Sequence, residues 1–296
     1  MSKFLSEKKN KNILGIICII ASAVCFSLMN LFIRLSGEMP VLQKCFFRNI
    51  VALIIAVIAL ARKKQPIVIG EGNLKYLLLR AVGGTVGLMC NFYAIDHMAI
   101  SDASILNKLS PFFAIIFSAF ILKEVADRLE WLSVFIAFAG ALLVVKPTFS
   151  MEIVPAVAGL IGGCAAGFAY TYVRKLGQRG ENSMIIVFFF SAFSSCCILP
   201  FMLFSFTPIE PVQWLFLILT GASAAAGQIF ITKAYSFAPA KEISVYDFSI
   251  VIFSAVWGIL FLNQTPDVLS LIGYVIIITT AIIKWWYTIR KNEQEC

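Results

Sequence analysis

Lys108 and Asp247 are the residues of this chain best placed to do chemistry. Each is a charged side chain inside a long apolar stretch. A charge in the hydrocarbon of a membrane is costly and ordinarily faces a cavity or a partner. Lys108 lies roughly 10 Å into Ser101–Leu122 at 1.5 Å per residue, beside Asn107 and Ser110 and ahead of Pro111. Proline leaves a carbonyl without its usual donor, so a kink and a polar notch are expected there. An ammonium in that notch binds a carboxylate or other anionic group of a solute; the alternative is that it snorkels to the outer surface. Asp247, flanked by Tyr246 and Ser249, lies about two turns into Ala240–Leu262. It can pair with Lys108 in one state, carry a coupled proton or bind an ammonium. The alternative is a static ion pair holding two parts of the chain together.

Polar and aromatic residues in other apolar stretches are candidates to line the same site: Asn30 and Ser27, Asn91 and Tyr93, Tyr170 and Tyr172, Gln228 and Thr232. Tyrosine suits an amphipathic solute because it offers a flat apolar face and a hydrogen bond. Taken singly, each is as well explained by hydrogen bonding between helices. Arg80 and Lys233 lie nearer helix ends and are read as snorkelling.

Enzymatic and metal chemistry find no support. There is one histidine, His97, and no Cys/His cluster, so no zinc site is expected. The eight cysteines are scattered through apolar stretches and read as packing residues, with no disulfide framework. No phosphate-binding glycine loop, HExxH or GxSxG occurs, which argues against an ATP-driven pump, a metalloprotease and an esterase. No cofactor is expected.

The elements that must position these residues are membrane spans. The 296 residues are 60% hydrophobic and only 14% charged, with a mean hydropathy of +0.91. A soluble domain carries about 25% charged residues. A bilayer core needs about 20 apolar residues per helix. Ten stretches qualify: Ile13–Leu35, Val41–Ala61, Leu74–Asp96, Ser101–Leu122, Leu129–Val145, Val154–Leu176, Ser183–Phe206, Val212–Phe237, Ala240–Leu262 and Val268–Ile289. Pro40, Pro147 and Pro239 punctuate them, and Asn73 and Asn182 stand where helix N-caps belong. The first run is too long for a cleaved signal peptide and is kept as a span.

The chain also repeats itself. Shifted by 140 positions, Leu74–Ile95 falls on Trp214–Tyr235 and Ser104–Glu124 on Ser244–Gln264, with Asn107 on Asp247 and Gly87 on Gly227. Aligning the first and sixth stretches sets Phe26 on Tyr170. Gly83 and Gly87, Ser223 and Gly227, and Gly159, Gly163 and Gly167 form small-residue ladders. Such ladders let helix backbones approach closely; they are read as sliding or hinge contacts within the protomer, with a dimer face as the lesser option. Basic residues gather on alternate connections: Lys3, Lys8, Lys9 and Lys11, then Arg62–Lys64, Lys123 and Arg128, Lys175 and Arg179, Lys241, Arg290 and Lys291. By the positive-inside rule those connections and both termini are cytoplasmic, and this membrane pattern explains the +8 charge without nucleic acid. Five spans per repeat invert the second copy. Inverted repeats mark secondary transporters, whose substrate site lies between the halves near the midplane.

Several motifs occur in order. Tyr93-Ala94 through Ala103, then Ser110-Pro111, then Phe120-Ile121-Leu122-Lys123-Glu124 is similar to the fourth helix of the drug/metabolite transporter superfamily, EamA type. Trp131, Gly140 and Lys146-Pro147 match the next helix, and Phe47-Arg48 matches a pair common in the second. The resemblance covers essentially the whole chain. It implies a ten-helix transporter of small organic solutes and leaves the substrate open across amino acids, nucleotide derivatives, vitamins, cations and drugs. It implies a packing or loop-anchoring role for Arg48, and for Glu124 an interfacial pair with Arg128, one turn away. Gln264 and Val251 stand where the repeat would place Glu and Pro, so the halves are not expected to be equivalent.

The reading is therefore an all-α integral membrane protein of ten transmembrane helices in two inverted five-helix repeats, 13–147 and 154–289. Cytoplasmic tails cover 1–12 and 290–296. The expected function is alternating-access transport of a small polar or amphipathic metabolite across the cytoplasmic membrane, such as an amino acid or an organic or nucleotide-like anion. Movement of a cationic or zwitterionic solute or drug through Asp247 is an alternative, and an uncoupled channel or scaffold is the alternative of another class. The expected substrate contacts are Lys108, Asn107, Asp247, Tyr170, Asn91, Gln228 and Asn30. Lipid is a necessary partner, a proton is a candidate coupling ion, and the chain is a monomer or a homodimer.

Overall fold

With no water in a bilayer to satisfy backbone groups, an apolar chain must satisfy them within helices. The computed structural model describes residues 2–62, 68–97, 106–145, 153–262 and 266–294. Ten helical elements follow in order: α1 (Ser2–Leu35), α2 (Val41–Arg62), α3 (Leu74–His97), α4 (Ser110–Leu122), α5 (Arg128–Val145), α6 (Ile153–Gln178), α7 (Ser183–Phe204), α8 (Pro211–Phe237), α9 (Ala240–Leu262) and α10 (Val268–Gln294). Among the described residues, nine of these are long and apolar enough to cross a membrane. The regular part of α4 has only 13 residues.

The helix bounds sit close to the apolar stretches of the sequence, with differences at the tips. Both tails join their neighbouring helices: α1 is helical from Ser2 and α10 runs to Gln294. Neither tail contains Gly or Pro to stop a helix. Asn182 caps α7, its side chain accepting from the Met184 N–H at 2.9 Å. Asn73 occupies the capping position of α3 but uses its side chain elsewhere. It donates to Glu181 at 2.8 Å and accepts from Arg179, tying the start of α3 to the α6–α7 turn.

Packing follows the repeat. α3 lies along α6, and α1 lies along α8. α4 rests on α6, and α9 on α1; α2 rests on α8, and α7 on α3. α2 pairs with α7, and α5 with α10. Exchanging the first five helices for the last five maps this set of contacts onto itself, as a two-fold axis between inverted repeats requires. Small residues make the closest crossings. A Cβ at Gly87 would stand 3.1 Å from Ala166 N and 3.2 Å from Gly162 O on α6. Gly227 of α8 faces the Phe26 ring of α1, and Gly167 of α6 faces Ser110 and Phe113 of α4. These glycine contacts lie within the protomer.

One end of the bundle carries the basic connections. There Lys241 donates to Val125 O at 2.8 Å and Tyr287 to Asp127 at 2.9 Å. At the opposite end Gln43 of α2 brackets Thr207 beyond α7, donating to its carbonyl at 2.9 Å and accepting from its N–H at 3.0 Å.

Candidate functional site

Two helices lose regularity at matching positions. Before α4, Leu106 and Asn107 are helical, Lys108 and Leu109 form a turn, and the helix restarts at Ser110. The Leu109 N–H bonds Leu106 O at 3.1 Å and the Phe112 N–H bonds Leu109 O at 3.0 Å, the tightened spacing of a 3-10 turn. Pro111 therefore sits in the first turn of a new helix, where its missing N–H deprives no carbonyl, rather than kinking a continuous one. α9 is built in three pieces: an α-turn Ala240–Ile243, a 3-10 stretch Ser244–Phe248 and a helix Ser249–Leu262. The 140-residue shift carries Lys108 onto Phe248 and Asn107 onto Asp247, so both breaks fall at the same point of the repeat.

The two breaks meet. Lys108 Nζ donates to Asp247 Oδ2 at 3.2 Å, and each side chain is 14% exposed. Lys108 is thus turned into the protein and does not snorkel. The pair opens onto a cavity of about 650 Å³ that α1 to α6 and α7 to α10 enclose together. Lys108, Asn107 and Asp247 line it, and so do Asn30, Asn91, Tyr170 and Gln228. The structure therefore gathers all seven expected contact residues on one surface. Ser27, Tyr93, Tyr172 and Thr232 do not line it. Ser27 accepts from the Trp257 indole at 2.9 Å, Tyr93 stacks on His97, Tyr172 packs on Tyr76 and Phe168, and Thr232 is fully buried.

Two arginines join these residues, one of them read otherwise from the sequence. Arg80 does not snorkel: it is 2% exposed, lines the cavity, donates from Nη2 to Gln228 Oε1 at 3.3 Å and lays its guanidinium over the Phe190 ring at 4.0 Å. Gly84, one turn along α3, makes this posture available, because a Cβ there would collide with Arg80 Nη1 and Phe190. Arg48 also lines the cavity, 5% exposed, with Nη1 donating to Asn49 Oδ1 at 2.8 Å and Nε directed to Met29 S. Asn49 in turn donates to Ser194 at 2.9 Å, so Arg48 has the packing role expected of it as well as a cavity position. A signal for Arg80 was present in the sequence. Arg80, Gly84, Gly87 and Asn91 recur at helical spacing on one face of α3.

The cavity reaches Val145, Ile259, Pro266 and Ser270 at the end opposite the basic one. Toward the basic end its lining stops at Arg80, Tyr170, Ile231 and Asp247. Tyr170 stacks on Tyr235 at 4.8 Å with rings 7° apart. Beyond them Arg174 of α6 grips Glu124, with Nη2 and Nε 2.9 and 3.1 Å from Oε1, and reaches Ser236 O at 3.1 Å. Glu124 is thus paired with Arg174 and Gln178 rather than with Arg128. A third ion pair, which the sequence reading missed, joins α10 to α5: Lys284 Nζ lies 3.4 Å from Glu130 Oε1, the two side chains 1% and 3% exposed.

Ten helices in two matching halves, broken at corresponding positions around a charged central cavity, define the class of a membrane transporter. The profile of the EamA-like transporter family matches this chain twice, over residues 13–146 and 154–285. The chain belongs to that family and is a multi-pass membrane protein that moves small molecules. It is 33% identical over 271 residues to the pseudopaline exporter CntI of Pseudomonas aeruginosa, covering 90% of this chain and 94% of that one. Solute carrier family 35 member G1 of Homo sapiens is 25% identical over 296 residues, covering 94% of this chain and 81% of that one. A solved crystal structure of a protein superposes with a TM-score of 0.77 at 14% identity, covering 93% of this chain and 98% of the other. At that identity the likeness is one of fold.

Proposed function

We propose that the chain exports a small polar organic metabolite across the cytoplasmic membrane by alternating access, and that the cavity between α4 and α9 is its substrate site. The observation that carries this reading is the meeting of Lys108 and Asp247, one from each repeat, where both helices lose regularity. Irregular backbone at membrane depth is tolerated where it lines a cavity, and broken helices in corresponding positions are the best pointer to a transporter site. An anionic group of the solute takes Lys108 and an ammonium takes Asp247, so binding dissolves a contact that joins the halves. Placing the basic end in the cytoplasm makes this an outward-open state, sealed inside by Tyr170–Tyr235 and Glu124–Arg174. The likeness to the pseudopaline exporter favours the outward direction and a solute of pseudopaline type.

The test compares small molecules in the medium of cells that overproduce the chain, cells that lack it, and cells producing Lys108→Met. The reading expects one compound or a related group to rise outside wild-type cells and not outside the variant. An unchanged medium, or an equal rise with Lys108→Met, contradicts it.

A further inference from the structure

Among the described residues that line the cavity, positive charge exceeds negative. Arg48, Arg80 and Lys108 line it, and Asp247 is the carboxylate among its lining residues. Asp247 is engaged by Lys108. The two arginines are bound to neutral partners: Arg48 to Asn49 and Met29, Arg80 to Gln228 and the Phe190 face. They are 5% and 2% exposed, and the Arg80 Nε–H has no hydrogen-bond partner. Two desolvated guanidinium groups with no counter-charge among the described residues are an unstable arrangement in a low-dielectric interior, and an anion that enters between the helices relieves it.

The local structure is built to hold Arg80 there. Gly84 clears the space for its Nη1, and Phe190 covers one face. A residue meant only to reach the membrane surface needs no such recess. Arg48 comes from α2, Arg80 from α3 and Lys108 from the break before α4, so the cations stand on three walls. Anionic groups spread over a small carbon skeleton are suited to cations that stand on three walls. The guanidinium edge matches a planar carboxylate. The regular part of α4 begins at Ser110, which also lines the cavity, and its N-terminal dipole adds to the preference for negative charge.

We infer that Arg48 and Arg80 form an anion clamp within the substrate cavity, and that the transported solute is a small organic acid with at least two carboxylates and a net negative charge. This rests on the assignment of the cavity as the substrate site. The surplus of cations is the specificity element, and a neutral or singly positive solute leaves it unmatched.

The test uses the purified full-length protein in detergent and follows its unfolding midpoint with tricarballylate, its trimethyl ester, inorganic phosphate or sodium chloride at matched ionic strength. A ligand bound by the folded state raises the midpoint progressively with concentration. Tricarballylate is expected to do so and the other three are not. Arg80→Gln and Arg48→Gln are each expected to weaken the effect about 10–100-fold, the range for a lost charge-assisted hydrogen bond, and Gly84→Ala to act in the same direction by displacing Arg80. Without ligand, Arg80→Gln should unfold at or above the wild-type midpoint, because it removes an uncompensated charge; a purely structural arginine would lower it. Stabilisation by the ester or by phosphate equal to that by tricarballylate, or wild-type affinity in both arginine variants, overturns the clamp. The comparison of media separates this failure from failure of the transport assignment. A neutral or cationic compound exported through a Lys108-dependent route leaves transport standing and removes the clamp.

Discussion

Glu124, just beyond α4, and Arg174 of α6 form an ion pair, Oε1 to Nη2 2.9 Å, that joins the first repeat to the second at the basic end. The repeat places Gln264 at the position of Glu124 and Asn30 at that of Arg174. Only one of the two symmetry-related closures can therefore carry an ion pair. Under the proposed alternating access this asymmetry would give the two end states unequal stability, the charged closure being the one made here.

Breaking that closure should favour opening at the basic end. With Glu124→Gln on a background without native cysteines, a Thr232→Cys reporter, fully buried in this state, should react with a small thiol reagent about tenfold faster or more. That factor corresponds to losing one charge-assisted hydrogen bond. An unchanged labelling rate would mean that the pair does not bias the conformational equilibrium.

Lys108 and Asp247 differ in what their removal should do. Lys108→Met keeps length and removes charge, so binding of the exported compound should be lost while the protein still folds. Asp247→Asn keeps shape and hydrogen bonding but cannot release a proton. If Asp247 carries the coupled proton, the variant should exchange substrate across a vesicle membrane yet fail to concentrate it. Gradient-driven accumulation by a stable Asp247→Asn protein removes the proton role.

The Lys284–Glu130 pair should behave as a structural clamp. Both groups are almost fully buried. Glu130 also accepts from the Asp127 N–H at 2.8 Å, with Asp127 accepting from the Glu130 N–H at 2.8 Å, a reciprocal cap on α5. Removing one partner of a buried pair costs about 3–5 kcal/mol. Lys284→Met should thus lower the unfolding midpoint sharply, and adding Glu130→Leu should restore much of it. Full stability of the single Lys284→Met variant would contradict this.

The orientation rests on the basic connections. A cysteine at Gly70, in a background without native cysteines, should be inaccessible to an impermeant thiol reagent outside intact cells, and one at Glu210 should be labelled. The reverse pattern would place the cavity mouth and the closed end on the other sides.

The helices and the central ion pair were legible because they rest on patterns of one dimension: runs of apolar residues, a 140-residue shift, and two charges where lipid does not tolerate them. Arg80 was misread because its depth along α3 suits a snorkelling chain. What turns it inward is Phe190 and Gln228, which arrive from α7 and α8. The sequence pointed to Arg128, one turn from Glu124, but Arg174 is brought close by α6 packing on α4. Lys284 drew no reading from the sequence, and only the packing of α10 on α5 sets it against Glu130. In each case the partner lies on another helix, and spacing along one helix says nothing of what packs beside it.

The central claim is that one cavity, alternately open to either side, binds and carries the solute through Lys108, Asp247 and the arginines beside them. Counterflow in proteoliposomes tests it most directly, using the compound that the protein raises in the medium. The account predicts saturable uptake that unlabelled compound inside the vesicles accelerates, and loss of that acceleration in Lys108→Met and Arg80→Gln. Non-saturable flux with no acceleration, or wild-type counterflow in both variants, would contradict it.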